Sequence, residues 1–357
     1  MNKLEISLKE KNYNIYIDKN TIRHLVDYLS FHFKGKQVMI ITDDNVNKLY
    51  GKTMMEAFNR TSLANVSVSM FTMKPGEENK SIETLVEIYK ACSESKLTRS
   101  DLIITFGGGV VGDIGGFAAS TYLRGVPFIQ VPTTLMAQVD SSIGGKVAID
   151  LPWGKNLVGS FYHPEAVFIN SDYLKSLNSR FLHDGIAEVI KYGCIKDEEI
   201  IQRLEAIEDD DHLLKEIEEI IFKCCLIKKQ LVEKDEKDYG DRKLLNFGHT
   251  LGHAIEKYYE YRKYSHGEGV AIGMLKMIKN CEEDGITKSG TYARIQALMK
   301  KFSLPMLNEV IEQEKLLNII SLDKKSLGDN IDLIMIREIG HGFIHRTKID
   351  EVKKFII

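Results

Sequence analysis

The sequence predicts an α/β N-terminal domain with a parallel-rich sheet, followed by an all-α C-terminal domain, with the change of character near residue 170. Three observations predict it. Short β-branched runs alternate with amphipathic segments through the first half, the pattern of crossover units on a parallel sheet. From about Ser171 apolar residues recur with helical spacing instead. A glycine-rich turn, Gly107-Gly108-Gly109, joins a strand-like run to a helix-like one. The expected domains are therefore 1–170 and 171–357, with no low-complexity linker and no internal repeat between them.

Taken in order, Val38-Met39-Ile40-Ile41-Thr42 reads as a buried strand ending at Asp43-Asp44. A helix from about Val46 to Asn59 follows, then a strand from Val66 to Met73 and a helix from Ile82 to Cys92. Leu102–Phe106 is the third strand and Phe128–Val131 the fourth, ending at Pro132. The second half reads as helices over Arg180–Cys194, Glu198–Glu208, Lys215–Val232, Phe247–Tyr259, Gly269–Asp284 and Tyr292–Lys301. Ile331–Ile336 predicts a brief return to strand.

Composition sets outer limits. Of 357 residues 43% are hydrophobic and 28% charged, enough to bury a full core. A net charge of −3 gives no reason to expect a nucleic-acid or membrane-surface partner. The charged start, Met-Asn-Lys-Leu-Glu-Ile, has no apolar run of signal-peptide length. No stretch reaches the roughly 18 apolar residues of a spanning helix. Five cysteines, an odd count without a CxxC pair, fit a reducing cytoplasm.

The glycine turn Phe106–Asp113 lies at the carboxyl end of a strand, where open α/β sheets bind ligands. Glycines there let a pyrophosphate approach the amides of a helix N-terminus. The turn lacks the usual G-x-G-x-x-G spacing and follows the third strand, so it predicts a non-standard Rossmann-like site. The turn Pro75–Lys80, the hydroxyl-rich run Pro132–Lys146 and the loop Gly154–Leu157 each read singly as solvated turns; together they mark a site.

The densest chemistry is Leu244–Glu256 followed by His266, which holds three of the ten histidines within that short span. His249, His253 and Glu256 are spaced by four and three, so one helix face carries all three. Such a face suits a divalent metal, a phosphate or an acid–base catalyst. By spacing alone, His249 pairs with His253.

These motifs, with Ala187–Gly193 (A-E-V-I-K-Y-G), Asp235-Glu236, Arg242–Glu256 (R-x-x-L-N-F-G-H-T-x-G-H-A-x-E) and His266–Met274 (H-G-E-x-V-x-x-G-M), resemble the 3-dehydroquinate synthase family in the same order over nearly the whole chain. Asn178 stands where the family usually has proline, and Asp238 where glutamate is common. The resemblance implies a dehydroquinate synthase-like fold: a Rossmann-like NAD-binding domain, then an α-helical metal- and substrate-binding domain, with the active site between them. It further implies NAD, a divalent metal (Zn or Co), a cytoplasmic homodimer and a sugar phosphate substrate.

The resemblance assigns the metal to Glu188, His249 and His266, and gives His253 to the substrate phosphate. It places Lys191, Lys228, Arg242 and Asn246 in the catalytic set with His253. Arg124, Lys146 and Asn156 match its substrate-carboxylate residues, and Lys325 a further phosphate contact. Its NAD positions fall on Asp43, Asn45, Glu77, Lys80, Gly109, Val110, Val111, Gly112, Asp113, Thr133, Thr134, Asp140, Lys146, Lys155 and Ser176. The implied reaction converts 3-deoxy-D-arabino-heptulosonate 7-phosphate to 3-dehydroquinate and phosphate, in the shikimate pathway of aromatic amino acid biosynthesis. Transient oxidation by NAD, β-elimination of phosphate, re-reduction, ring opening and aldol closure follow in turn, which makes the enzyme a phosphorus–oxygen lyase.

Three rival readings remain. A 2-deoxy-scyllo-inosose synthase would not need the carboxylate set Arg124, Lys146 and Asn156. A glycerol dehydrogenase type of enzyme would lack the run from Arg242 to Thr250. A regulatory nucleotide-binding protein would have no use for an open metal site.

Overall fold

The computed structural model describes residues 1–59, 63, 66–307, 311–324 and 330–356. The chain divides into two compact units, Met1–Ser176 and Leu177–Ile357.

The first unit is built on seven strands. They are β1 (Asn2–Ser7), β2 (Asn12–Ile17), β3 (Gln37–Asp43), β4 (Ser67–Met73), β5 (Leu102–Gly107), β6 (Phe128–Pro132) and, after an intervening hairpin, β9 (Ala166–Ile169). Their order across the sheet is β1-β2-β9-β6-β5-β3-β4. Only β1 and β2 pair antiparallel in it; every other neighbour is parallel. β5, β6 and β9 are buried at every position, as strands covered on both faces must be. Alternation within β3 divides the core. Val38 and Ile40 pack with α1 (Thr21–His32) and α3 (Lys52–Asn59); Met39 and Ile41 pack with α4 (Ile82–Glu94) and α5 (Gly109–Thr121). A short turn of helix, α2 (Asp44–Val46), leads from β3 towards α3.

The strand order explains where a ligand belongs. From β3 the chain moves outward to β4, then returns to pair β5 on the other side of β3. The carboxyl ends of β3 and β5, Asp43 and Gly107, therefore flank a topological switch point, the ligand crevice of open α/β sheets.

Two features of this unit were not predicted. The β1–β2 hairpin extends the sheet at one edge; its polar–apolar alternation is short and broken by asparagines. A second hairpin pairs β7 (Lys146–Leu151) with β8 (Gly154–Phe161), so Gly154–Leu157, predicted to be a loop, begins a strand. Exposed side chains line most of β8, which erased the burial signal that a sequence pattern reads.

The second unit is chiefly helical. Its helices are α6 (Ser179–Ile195), α7 (Glu198–Ala206), α8 (Asp210–Lys234), α9 (His249–Tyr258), α10 (His266–Glu283), α11 (Thr291–Lys301), α12 (Gln313–Lys324) and α13 (Lys353–Ile356). β10 (Asn330–Ile336) and β11 (Gly342–Lys348) add an antiparallel ribbon where the sequence predicted a return to strand. Helices α9 and α10 meet through glycines. A Cβ on Gly252 would lie 2.9 Å from the Gly269 backbone, and one on Gly273 would collide with the Gly248 carbonyl. Backbone approach this close brings side chains near the starts of both helices within reach of one another.

Candidate active site

The cluster in the second unit starts with three helix positions. Asn178 caps α6 by accepting the Phe181 amide at 3.0 Å. The helix then carries Glu188 and Lys191, three residues apart and so on one side. Gly248, in the left-handed region at φ 80°, turns the chain so that α9 begins at His249. Ser265 and Glu268 form a capping box that starts α10 at His266, earlier than the predicted Gly269.

These starts converge. Glu188 Oε1 lies 3.5 Å from His249 Nε2 and 3.7 Å from His266 Nε2. Donor atoms of His249, His253 and His266 all lie within 4.8 Å of one another. Glu188 is 0% exposed, and neither of its oxygens accepts a hydrogen bond of acceptable geometry, although Oε2 forms an ion pair with Lys191. Lys191 offsets part of the cost of burying this carboxylate, and Oε1 remains open to a further cation. Imidazole nitrogens and a carboxylate are a suitable donor set for zinc or a similar divalent ion. The residues present therefore fit a metal.

His249 and His266 are oriented from behind. His249 Nδ1 is 3.1 Å from the Phe247 carbonyl, and His266 Nδ1 is 3.0 Å from Glu256 Oε1. Both rings thus turn Nε2 towards Glu188. Burial, then the Lys191 charge and the other two imidazoles, hold the His249 pKa well below the ordinary value. A neutral imidazole is what metal ligation needs. For His266 burial acts downward too, but the hydrogen bond and charge of Glu256, with Glu188 and Asp184, raise it to about 9. His253 is exposed, its ring centroid 5.3 Å from that of His249 and 5.5 Å from that of His266.

Arg242 and Asn246 lie on a 3₁₀ turn, Asp241–Asn246, that packs on α6 and α8. Lys228 of α8 and Arg242 are both buried, at 4% and 2% exposure, which is unusual for residues that merely solvate a face. Asp235 organises the approach by accepting the amides of Tyr239 (3.1 Å), Gly240 (2.6 Å) and Arg242 (3.1 Å). The Arg242 guanidinium donates to the Glu236 carbonyl at 2.6 Å. Lys325 lies outside the described residues.

In the first unit, α5 starts at Gly109 directly after β5. Its glycines lie against neighbours: a Cβ on Gly112 would meet Gln130 Oε1 at 2.9 Å, and one on Gly115 would meet Thr105 Cγ2 at 2.5 Å. The start of α5, with Gly109, Val110 and Val111, remains partly open at its first two positions. The Thr133 amide bonds the Gly107 carbonyl at 2.9 Å, and Thr134 Oγ1 accepts the Ala137 amide at 3.3 Å, so both threonines adjoin the turn. Asp140 lies on the π-helical turn Ala137–Ser141 that follows them. Asp43 caps α2 through Oδ1, accepting the amides of Asn45 (2.9 Å) and Val46 (3.0 Å), while burial raises its pKa.

Lys80 is the electrostatic hub of this unit. Its buried Nζ lies 2.9 Å from Glu77 Oε1, 3.3 Å from Asp113 Oδ2, 3.5 Å from Asp150 Oδ1 and 2.7 Å from Asn156 Oδ1. Lys155 Nζ is 3.7 Å from Glu77 Oε1. Burial opposes the charge on Lys80, yet Asp113, Glu77 and Asp150 raise its pKa overall. Burial acts upward on Glu77 as well, but Lys80 and Lys155 bring its carboxyl below the ordinary value. Burial wins at Asp113, which is pushed up to about 6. Asn156 holds a left-handed backbone at φ 55°, steadied by its amide donating to Asp150 Oδ1 at 2.7 Å. Lys146 opens β7 with an exposed side chain. Arg124 is exposed on the 3₁₀ turn Tyr122–Arg124, at φ 67°. Ser176 Oγ donates to the Tyr173 carbonyl at 2.8 Å at the end of the unit.

Residues 70–184 match the family described as 3-dehydroquinate synthase N-terminal, and residues 185–326 match 3-dehydroquinate synthase C-terminal. A protein of Clostridium acetobutylicum named 3-dehydroquinate synthase is 50% identical, covering 100% of this chain and 99% of its own. The chain belongs to the 3-dehydroquinate synthase family. Solved structures agree on the fold. A 2-epi-5-epi-valiolone synthase from Streptomyces hygroscopicus, with NAD+ and Zn2+ bound, superposes with a TM-score of 0.87 at 24% identity, over 97% of this chain and 96% of that one. A 2-deoxy-scyllo-inosose synthase complexed with carbaglucose-6-phosphate, NAD+ and Co2+ gives 0.85 at 23%, over 99% and 98%. At such identities the likeness shows the fold alone, and the close relatives carry the family assignment.

Both departures from the usual family pattern have a local explanation. Asn178 supplies the cap of α6 described above. Asp238 occupies the left-handed region at φ 64°, where aspartate is tolerated better than most residues. Sequence reasoning missed the supporting carboxylates. Asp184 accepts from Ser265 Oγ (2.5 Å) and the Glu268 amide (3.1 Å), tying α6 to the start of α10. Its position one turn before Glu188 was the available signal. Asp150, which steadies Asn156, had none.

Proposed function

We propose that this family member is a 3-dehydroquinate synthase that converts 3-deoxy-D-arabino-heptulosonate 7-phosphate into 3-dehydroquinate and phosphate, using NAD and a divalent metal, as a homodimer in the cytoplasm. The observation that carries the reading is the fully buried Glu188 carboxylate facing His249 and His266 with Lys191 beside it. A non-catalytic nucleotide-binding protein has no use for such an arrangement.

In this reading Glu188, His249 and His266 hold the metal, and the first unit holds NAD around the α5 N-terminus, Asp43, Asn45, Glu77, Lys80, Asp113, Thr133, Thr134, Asp140, Lys146, Lys155 and Ser176. When bound, the metal supplies Lewis acidity to substrate oxygens and NAD a reversible hydride acceptor. Lys191 places a positive charge beside the reacting hydroxyls, stabilising developing negative charge. His253, Arg242, Asn246 and Lys228 grip and orient the phosphate, so that its own oxygen can take the adjacent proton during elimination. Arg124, Lys146 and Asn156 bind the substrate carboxylate. Lys80 can only donate, so it faces the oxygen of the Asn156 amide and leaves the NH₂ to donate elsewhere. That polarity suits an anionic group, and favours this substrate over a carboxylate-free sugar phosphate.

The test is an assay of purified protein with NAD and Zn2+ or Co2+. Phosphate release from the heptulosonate phosphate without net NADH is expected. No release, or stoichiometric NADH from glycerol, overturns the reading.

A further inference from the structure

We infer that Glu256 is a positioning residue that fixes His266 as a metal ligand, and that the α9–α10 glycine contact exists in part to let it do so. This rests on the metal reading above and goes beyond its three ligands.

Glu256 shares a helix face with His249 and His253, yet it plays a different part. It is 2% exposed, and its Oε1 lies 3.0 Å from Nδ1 of His266 on the neighbouring helix. The opposite ring nitrogen, Nε2, faces Glu188 Oε1 at 3.7 Å. Glu256 is therefore on the far side of the imidazole from Glu188. A carboxylate on Nδ1 keeps the proton there, leaves the Nε2 lone pair for the metal, and makes the ring a stronger donor.

The surroundings are fitted to this contact. A Cβ on Gly269 would come within 3.2 Å of Glu256 Cγ and 3.4 Å of its Oε1, so a larger residue on α10 would press on the carboxylate. Gly252, one turn earlier on α9, brings the two backbones together. On its other flank His266 is held through its N-cap, since Asp184 accepts from Ser265 Oγ and the Glu268 amide. The two anchors are separate: Asp184 sets where the helix starts, and Glu256 sets how the ring is turned. Behind the His249 ring the structure places a neutral carbonyl, that of Phe247. The carboxylate support is thus particular to His266, the more exposed of the two rings at 34% against 12%.

The test is Co2+ and Zn2+ binding to metal-free protein, read by chelator competition and by the Co2+ absorption spectrum. Glu256→Gln keeps the shape and removes the charge; Glu256→Ala removes both. Both variants are expected to lose metal affinity, within the roughly 10–100-fold range of outer-shell partners, with Ala worse than Gln and the Co2+ band altered. NAD affinity should be unchanged. Excess metal should restore turnover in Glu256→Gln, which a purely structural defect would not allow. Unchanged metal affinity in Glu256→Gln and Glu256→Ala overturns the inference. His249→Ala separates the two levels: if it loses metal while both Glu256 variants keep it, only the role of Glu256 fails. If His249→Ala also binds metal normally, the metal reading itself fails.

Discussion

The two units handle buried charge in opposite ways. In the first, a cation is enclosed by its own chain: Lys80 has Glu77, Asp113, Asp150 and the Asn156 amide around it. In the second, an anion is only partly matched: Glu188 Oε2 is ion-paired with Lys191, while Oε1 faces His249 and His266 at 3.5 and 3.7 Å without a hydrogen bond of acceptable geometry among the described residues. A charge that the chain completes for itself is a scaffold. A charge left incompletely bonded, among groups that ligate, is where a cation would fit. The contrast fits the proposed roles, Lys80 holding its neighbours in place and Glu188 ligating a metal.

The largest effect should come from the incomplete charge. His249→Ala and Glu188→Gln remove donors directly, so each should lose more metal affinity than the roughly 10–100-fold cost of an outer partner, with turnover falling in step. Calorimetric metal titration checks it. Near-normal binding in both variants would break the comparison, because Glu188 would then need another explanation.

The completed charge should show itself in stability instead. Lys80→Met leaves three carboxylates facing one another without their central cation, and removal of one partner from a buried ion pair costs about 3–5 kcal/mol. Urea denaturation measures it. A loss below about 1 kcal/mol would mean that Lys80 is not the hub its geometry describes.

A pH experiment sharpens the same point. Burial raises the Asp113 pKa from 3.8 to about 6 in the folded chain. Between those values the folded state binds a proton that the unfolded state has released. Stability from this group is therefore present below about pH 4 and lost as pH rises through 6, by at most about 3 kcal/mol. Asp113→Asn cannot ionise, so its stability relative to the parent should increase from pH 4 to pH 7. Parallel stability curves for parent and variant would remove Asp113 from the strained set.

How much of this was legible depended on whether the signal was local. The parallel strands at Val38–Thr42 and Leu102–Phe106 were readable because continuous apolar runs bounded by turns have few other readings. The helix carrying Glu188 was readable from its period. The partners were not. Helical spacing says that His249, His253 and Glu256 share a face, but which side chain meets Glu188 or His266 is decided by how α9 crosses other helices. Spacing alone paired His249 with His253, and the resemblance gives His253 to the phosphate; the fold keeps donor atoms of His249, His253 and His266 within 4.8 Å of one another and sets Glu188 Oε1 3.5 and 3.7 Å from His249 and His266. The start of α10 was missed because the apolar period begins only around Gly269, although Ser265 and Glu268 had the spacing of a capping box. The β7–β8 hairpin was missed because exposed residues predominate on β8 and leave no inside to read.

The smallest prediction concerns the departure at Asn178. Its side chain accepts the Phe181 amide at 3.0 Å and so satisfies one of the open donors at the start of the helix that presents Glu188. A proline in that position would offer no acceptor and would act by restricting the backbone. Asn178→Ala removes the cap and should cost about 1 kcal/mol of stability, read by thermal unfolding. Asn178→Pro should recover part of that loss if the backbone there can take the required φ; the observed φ of −70° is compatible. Metal affinity should be unchanged in both, since Glu188 lies well beyond the first turn and the close packing of α6 fixes it independently of the cap. A metal defect in Asn178→Ala would show instead that fraying at the start of α6 reaches the ligand. The contrast between the units would then be one of rigidity as well as of charge.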